Sequence, residues 1–315
     1  MRAILVTFSD RLTSELEHDL KEVFEPDYEV VVLGRPDAES KFDKVVALLI
    51  FQFKGVVTPE LLSKLPNLKV IQTITAGTDH IDRSILPPDV VVLSGSGANS
   101  DYIAEHVFAL MLAAAKNIVF HTDAMRNGEF HQEVFAKPLK DTTLLIVGLG
   151  SIGCEVAKRA KCFGMKVVGV NRSGIARCEV DSVFKSDKLL ELLPQADFIV
   201  ISVALTPETK GLIGEKELAA MKDDAVLVNV SRGKVIDEAA LYRHLVNHPN
   251  FKVGLDVWWR YPKENEKFAQ HFPIEKLPNV IMTPHIAPKV PGFFERMTLF
   301  SARKLRSYLD ALKSK

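Results

Sequence analysis

Thr142-Thr-Leu-Leu-Ile-Val-Gly148-Leu-Gly-Ser-Ile-Gly153 decides the fold of this chain. A β-favouring run enters three glycines spaced G-x-G-x-x-G. Cys154-Glu-Val-Ala-Lys-Arg-Ala-Lys-Cys-Phe-Gly164 then has the periodicity of an amphipathic helix, and Met165-Lys-Val-Val-Gly-Val170 reads as a second strand. A glycine triplet alone is a weak signal. Between a strand and a helix that leads to another strand, it is the dinucleotide fingerprint. Gly148 permits the tight turn, Gly150 lets the backbone approach a pyrophosphate, and Gly153 lets the helix pack close to the strand. The helix start offers N–H groups and the positive end of its dipole to the phosphates. The bland alternative is a purely structural glycine turn.

Outward from this motif, strands alternate with helices. Upstream, Ala3–Thr7, Val30–Leu33, Val45–Ile50, Lys69–Gln72 and Val90–Leu93 read as strands, with helices at Ser14–Val23 and Pro59–Lys64. Downstream, the strands are Leu144–Val147, Lys166–Val170, Phe198–Ser202, Ala225–Val230, Lys252–Leu255 and Val280–Met282. Such alternation implies parallel sheets with right-handed crossovers. A length of 315 residues exceeds one ordinary core. The expected fold class is therefore α/β, with two doubly wound parallel-sheet domains. Residues 99–287 form the dinucleotide-binding domain. Residues 1–98 plus 288–315 form a discontinuous domain, because the tail Phe293–Ala311 reads as an amphipathic helix that returns to it. Hinges fall near Gly97–Ser100 and Ala287–Pro291. The stretch Asp101–Lys116, with Ser100 as its cap, is apolar nearly all round, so a position buried between domains or subunits is expected.

Composition narrows the class. Apolar residues make up 47% and charged residues 25%, as in soluble globular proteins. Forty basic residues balance forty acidic ones, which gives no global reason to expect nucleic acid or an anionic membrane as partner. No apolar run is long enough to span a bilayer, and Met1-Arg-Ala-Ile-Leu-Val-Thr-Phe8 enters a strand with no signal-peptide pattern. The three cysteines, Cys154, Cys162 and Cys178, lack metal-ligand spacing, so no metal is expected. Reduced thiols in a cytoplasmic protein are the simplest reading.

Three strand ends carry chemistry. An acidic residue roughly 20 positions past the first glycine would bind the ribose 2′-hydroxyl of NAD. Asn171-Arg172-Ser173 stands there instead. A cation with hydroxyl and amide donors suits a 2′-phosphate, so NADP(H) is favoured over NAD(H). Otherwise Arg172 is a solvated charge, or stacks on the adenine of either cofactor. Ser231-Arg232-Gly233 ends the strand within Ala225–Val230, where Arg232 can clamp a carboxylate bidentately or be structural. His285, fixed by Pro284 after Val280–Met282, is a natural proton carrier for a carbonyl–hydroxyl pair, or a hinge histidine.

Taken together, these motifs resemble the D-isomer-specific 2-hydroxyacid dehydrogenases. Ala76-Gly-Thr-Asp-His-Ile-Asp82, Asn99 with Ile103-Ala-Glu-His106, Leu205-Thr-Pro-Glu-Thr209, Asn229-Val-Ser-Arg-Gly-Lys-Val-Ile-Asp237, Gly254-Leu-Asp-Val257 and Thr283-Pro-His-Ile-Ala287 match the family's signatures in order, over essentially the whole chain. The resemblance implies a flavodoxin-like substrate domain and a Rossmann domain, with the active site in the cleft between them. It implies that Arg232 binds the substrate carboxylate and polarises the keto oxygen, while His285 exchanges a proton and the nicotinamide a hydride. It implies substrate binding by the backbone of Ala76, Gly77 and Thr78 and by Asn99. Cofactor contacts are expected from Gly148, Gly150, Ser151, Ile152, Gly153, Asn171, Arg172, Ser173, Val230, Asp256, His285 and Ala287, with Asp256 near the nicotinamide carboxamide. A homodimer is also implied, with the Ile103–Ala115 helix buried across a two-fold axis.

One position departs from the family. A glutamate before a proline normally hydrogen-bonds the catalytic histidine and keeps it protonated; here Tyr261 precedes Pro262. Three readings stand open. Tyr261 takes the glutamate's place as a catalytic partner, and orients the imidazole without a carboxylate's charge. Glu264 or Glu266 reaches in from the insertion Lys263–Phe272. Or proton transfer is dispensable, as in the related formate dehydrogenases. Trp258 and Trp259 read as packing before a substrate or subunit wall, and Lys54 of Phe51-Gln-Phe-Lys54 as solvated before a contact to a second anionic group. The function expected is reduction of a small 2-keto acid, of the glyoxylate or hydroxypyruvate type. The alternatives are a nucleotide-sensing binding protein of the same fold, or oxidation of a formate-like donor.

Overall fold

The computed structural model describes residues 1–313, in two compact units. The first comprises Met1–Asn99 and Val290 onward; the second is Ser100–Lys289.

In the first unit, β1 (Arg2–Val6), β2 (Tyr28–Val32), β3 (Val45–Ile50), β4 (Val70–Thr73) and β5 (Val91–Leu93) form a parallel sheet in the order β2-β1-β3-β4-β5. Val45-Val-Ala-Leu-Leu-Ile50 is buried along its whole length, which is the signature of a strand covered on both faces. One face packs against α1 (Ser14–Phe24) and the C-terminal helix Phe293–Lys313, the other against α2 (Pro59–Ser63). Thr13 caps α1 by accepting from the Leu16 amide at 3.1 Å, and Thr58 caps α2 by accepting from Leu61 at 3.2 Å, with Pro59 in the first turn.

The second unit opens with α3 (Ser100–Ala115) and α4 (Ile118–Arg126). The sheet and helices follow: β6 (Thr143–Val147), α5 (Ser151–Cys162), β7 (Lys166–Asn171), β8 (Ser182–Lys185), α6 (Leu189–Leu192), β9 (Phe198–Ile201), α7 (Glu215–Ala219), β10 (Val226–Asn229), α8 (Glu238–Asn247), β11 (Lys252–Leu255) and β12 (Val280–Met282). The seven strands are parallel in the order β12-β11-β10-β9-β6-β7-β8, so the order reverses at β6, where the glycine loop begins. In doubly wound sheets this switch point is where ligands bind.

The core-facing side of the Ile103–Ala115 helix is buried within the second unit. Its apolar residues pack inside the second unit, on α5 and the β10–β12 side of the sheet. Ala104, Val107, Leu110, Met111 and Ala114 are core residues there. The exposed apolar residues lie in the next segment instead: Ile118, Phe120, Met125, Phe130 and, 94% exposed, Phe135. The reading of the cysteines as reduced thiols is corrected. Cys154 and Cys178 form a disulfide, and Cys162 alone is free. Cys154 and Cys162 are too far apart on one helix to pair, but the loop after β7 brings Cys178 back to α5.

Candidate active site

In the second unit the functional residues stand at the carboxyl ends of successive strands. After β6 the chain turns at Gly148, with φ +102°, a conformation that a side chain rarely adopts. A Cβ on Gly153 would sit 2.0 Å from the Gly148 carbonyl oxygen, so only glycine lets α5 start this close to the strand. Ser202 Oγ, at the end of β9, donates to that same carbonyl at 2.7 Å and fixes the turn. Nothing lies within 4 Å of the point where a Cβ on Gly150 would be, and no side chain caps α5. This open cradle at a helix start fits a pyrophosphate.

The loop after β7 differs from its expected reading in one respect. Asn171 does not present its amide outward. Its Oδ1 accepts from the Gly174 amide at 2.7 Å and the Ser173 hydroxyl at 3.2 Å, and its Nδ2 donates to the Ile175 carbonyl at 2.8 Å. The side chain folds its own loop, as asparagines do in turns. Arg172 remains exposed, and so does Arg177, a second cation that sequence reasoning passed over. Arg172 also acts at a distance on Glu208, whose carboxyl lies below its ordinary range chiefly through the Thr206 hydroxyl.

At the end of β10, fully buried Asn229 shapes the next turn. Its Oδ1 accepts from the Ser231 amide at 3.0 Å and hydroxyl at 2.9 Å, while its Nδ2 donates to the Arg232 carbonyl at 2.9 Å. Arg232, half-buried, donates through Nη1 to the Ser231 carbonyl at 2.8 Å. A Cβ on Gly233 would lie 2.3 Å from the Trp258 carbonyl carbon, so this turn packs directly on the chain beyond β11.

That chain carries the partner of the histidine. Tyr261 Oη stands 3.0 Å from His285 Nδ1, and the Trp258 amide donates to the same oxygen at 3.3 Å. Of the three readings, the geometry brings the Tyr261 hydroxyl to the ring. Glu266 is ion-paired with Arg260 and accepts from the Lys263 amide at 3.0 Å. Gln270, buried in the same insertion, grips Arg260 through its amide at 3.1 Å and its carbonyl at 2.8 Å. Trp258 is buried, donating from Nε1 to the Thr283 carbonyl at 3.0 Å, and Trp259 donates to the Ile236 carbonyl at 2.7 Å. Both tryptophans brace the loops.

His285 has φ +60°, a left-handed conformation that costs a non-glycine residue and persists only where neighbours enforce it. Asp256 supplies the enforcement. Its Oδ1 accepts from the Thr283 hydroxyl at 2.6 Å and the Ile286 amide at 2.9 Å, and its Oδ2 accepts from the Ala287 amide at 3.0 Å. His106 Nε2 lies 2.9 Å from the Thr283 hydroxyl and 3.5 Å from Asp256 Oδ1. Asp256 is fully buried, and in this structure it anchors the histidine loop. His106 was legible only as part of a helix motif; its function follows from a contact 177 residues away in sequence.

In the first unit, the loop after β4 has a polarity of its own. Thr75 Oγ1 donates to the Gly77 carbonyl at 3.1 Å, and Ser94 Oγ donates to the Ala76 carbonyl at 2.6 Å. With those carbonyls held, the amides of Ala76, Gly77 and Thr78 donate to no group among the described residues, leaving a cluster of N–H groups suited to an anion. Asn99 is buried, with neither side-chain polar atom hydrogen-bonded. Phe51 lies edge-on to Phe294 at 5.4 Å beneath the Arg11 guanidinium, 4.7 Å from its centroid; Lys54 is exposed. No cluster of metal-ligating side chains occurs among the described residues, and no single helix there is long and apolar enough to cross a membrane.

Comparison with known proteins agrees with this geometry. A family model described as D-isomer specific 2-hydroxyacid dehydrogenase, NAD binding domain, matches residues 108–287, and the catalytic-domain model of the same family matches residues 6–178. The chain is 35% identical to a glyoxylate reductase of Thermococcus litoralis over 311 residues, covering 94% of this chain and 92% of that protein. It is 35% identical to a D-3-phosphoglycerate dehydrogenase of Methanocaldococcus jannaschii, with 87% of this chain matched, but spans only 52% of that protein's length. Among solved structures, an acyclic imino acid reductase in complex with NADPH and D-Arg superposes with a TM-score of 0.76 at 28% identity, covering 99% of this chain and 98% of the other.

Proposed function

Because the chain belongs to the D-isomer-specific 2-hydroxyacid dehydrogenase family, and so acts on a CH–OH donor with a nicotinamide dinucleotide, we propose that it reduces a small 2-keto acid of the glyoxylate or hydroxypyruvate kind and takes NADPH in preference to NADH. The cofactor preference rests on the loop after β7, which has exposed Arg172 and Arg177 and no carboxylate at Asn171-Arg172-Ser173. A carboxylate there would repel a 2′-phosphate, whereas guanidinium groups bind it with charge-assisted hydrogen bonds. The relative solved with NADPH supports the same direction. The small substrate rests on the resemblance to the glyoxylate reductase.

A bound nicotinamide would supply the hydride. Arg232 takes the substrate carboxylate and polarises the keto oxygen; in the first unit, the free amides of Ala76, Gly77 and Thr78 form a carboxylate-binding loop. His285 delivers the proton, and the single observation that carries this role is the Tyr261 Oη to Nδ1 contact of 3.0 Å. Because the Tyr261 oxygen already accepts from the Trp258 amide, its own proton is available to Nδ1. A neutral His285 then carries its proton on Nε2, the nitrogen that would exchange it with the keto oxygen. When the ring is protonated, Nδ1–H donates to the phenol oxygen instead, so Tyr261 serves both states. Ile118, Val119, Phe120, Met125, Phe130 and Phe135 form an exposed apolar set that we assign to a homodimer contact.

The test is oxidation of NADPH and NADH by the purified protein with glyoxylate, hydroxypyruvate and pyruvate in turn. Turnover with NADPH well above NADH on the smaller acids is expected. Equal rates with the two cofactors would overturn the preference, and turnover confined to bulkier keto acids would overturn the substrate class.

A further inference from the structure

The disulfide lies where the cofactor reading puts the most demand on loop geometry. Cys154 sits in the first turn of α5, next to Gly153 of the phosphate cradle. Cys178 ends the loop that carries Arg172 and Arg177, and the two Cα atoms are 5.6 Å apart. Among the described residues, hydrogen bonds hold the loop at its two ends only. Asn171 ties residues up to Ile175, and at the far end Asp181 accepts from the Val167 amide at 2.6 Å and pairs with Lys161. Among the described residues, Ala176 to Val180 make no hydrogen bond at all. Apolar contact of Ala176, Cys178 and Val180 with the core and the bond to Cys154 are what fix this stretch. Both cysteines are half-buried and neither is sealed in the core.

We propose that Cys154–Cys178 is a thiol–disulfide switch on cofactor binding. This rests on the reading of the loop as the 2′-phosphate site. In the oxidised protein the bond clamps residues 172–178 to the phosphate-binding helix, so Arg172 and Arg177 are pre-positioned. A dithiol reductant reverses this. One of its thiolates attacks a sulfur, and the Cys154–Cys178 bond breaks. The two cysteines take up two electrons and two protons as thiols, and the reductant leaves as its own disulfide. The released loop must then be ordered each time NADPH binds, and that ordering weakens affinity. NADH, which makes no 2′-phosphate contact, is affected far less.

The experiment titrates the full-length protein with NADPH and NADH by fluorescence, after treatment with an oxidised or a reduced dithiol. Thiols are counted in denaturant for each state. The oxidised protein should show one thiol, Cys162, and the reduced protein three. Reduction should weaken NADPH binding about three- to ten-fold and NADH binding less than about two-fold, the range expected for ordering one or two side chains. Cys178→Ser and Cys154→Ala should bind NADPH at the weak value in both treatments, and Cys162→Ser should retain the response. Equal NADPH affinity in the two states, or three thiols that persist after oxidation, overturns the switch. Equal weakening of NADH overturns the assignment to the 2′-phosphate loop. Failure of either dinucleotide to bind in either state overturns the cofactor reading itself.

Discussion

His244 gives a quantitative test of how the second unit is held together. It lies on α8, 8% exposed, with its ring stacked on His248 at 4.1 Å and edge-on to Phe251 at 4.6 Å. Its Nε2 has no hydrogen-bond partner. Burial, and secondarily the neighbouring His248, push its pKa from 6.5 down to about 4. Between those values the unfolded chain binds a proton that the folded chain refuses, so acidification favours unfolding. The contribution of neutral His244 is complete above pH 6.5 and is lost as pH falls towards 4. Linkage gives a loss of about 2 kcal/mol at pH 5, relative to pH 8, and about 3 kcal/mol at pH 4. Both tryptophans of the chain, Trp258 and Trp259, lie in this unit, so their fluorescence in urea reports its unfolding alone. The comparison is between wild type and His244→Leu, which packs without titrating. The wild type should lose about 2 kcal/mol more than the variant between pH 8 and pH 5, over and above changes common to both. Parallel pH dependence in the two proteins would refute the reasoning.

Other perturbations test the site. Tyr261→Phe removes the hydroxyl from His285 and should lower kcat by about ten-fold while KM for the cofactor holds, since a neutral hydrogen bond contributes about 1 kcal/mol and fixes the ring. Tyr261→Glu places an opposite charge beside the imidazolium and should move the falling limb of the reductive pH profile to higher pH; an unshifted limb would argue against direct contact. Gly153→Ala forces a Cβ to within 2.0 Å of the Gly148 carbonyl oxygen, so dinucleotide affinity should fall at least about ten-fold, with about 1–3 kcal/mol of stability lost from overpacking. Asp256→Asn leaves one donor of the histidine loop unmatched; it should cost about 1–3 kcal/mol and reduce kcat more than cofactor affinity, as read by steady-state kinetics and urea melts.

What the sequence determined by itself is local. Apolar periodicity, turn residues and the glycine spacing act over a few residues, so they identified most strands, the two parallel sheets, the Gly148–Gly153 turn, and the strand ends that carry Arg232 and His285. Short or weakly patterned elements escaped: Ser182–Lys185 has only four residues, and α4 exposes the apolar side chains that a helix normally buries. Tertiary structure decided whatever depends on two distant segments meeting. Asn171 turns inward because its own loop needs its donors and acceptors. Tyr261 meets His285 because the turn at Gly233 packs against Trp258 and Gln270 grips Arg260. His285 keeps a left-handed backbone because a buried Asp256 takes the loop's N–H groups. Cys154 pairs with Cys178 and not with Cys162, because the chain after β7 folds back over α5. Spacing along one helix can exclude a pair, but only the path of the next strand can supply the right one.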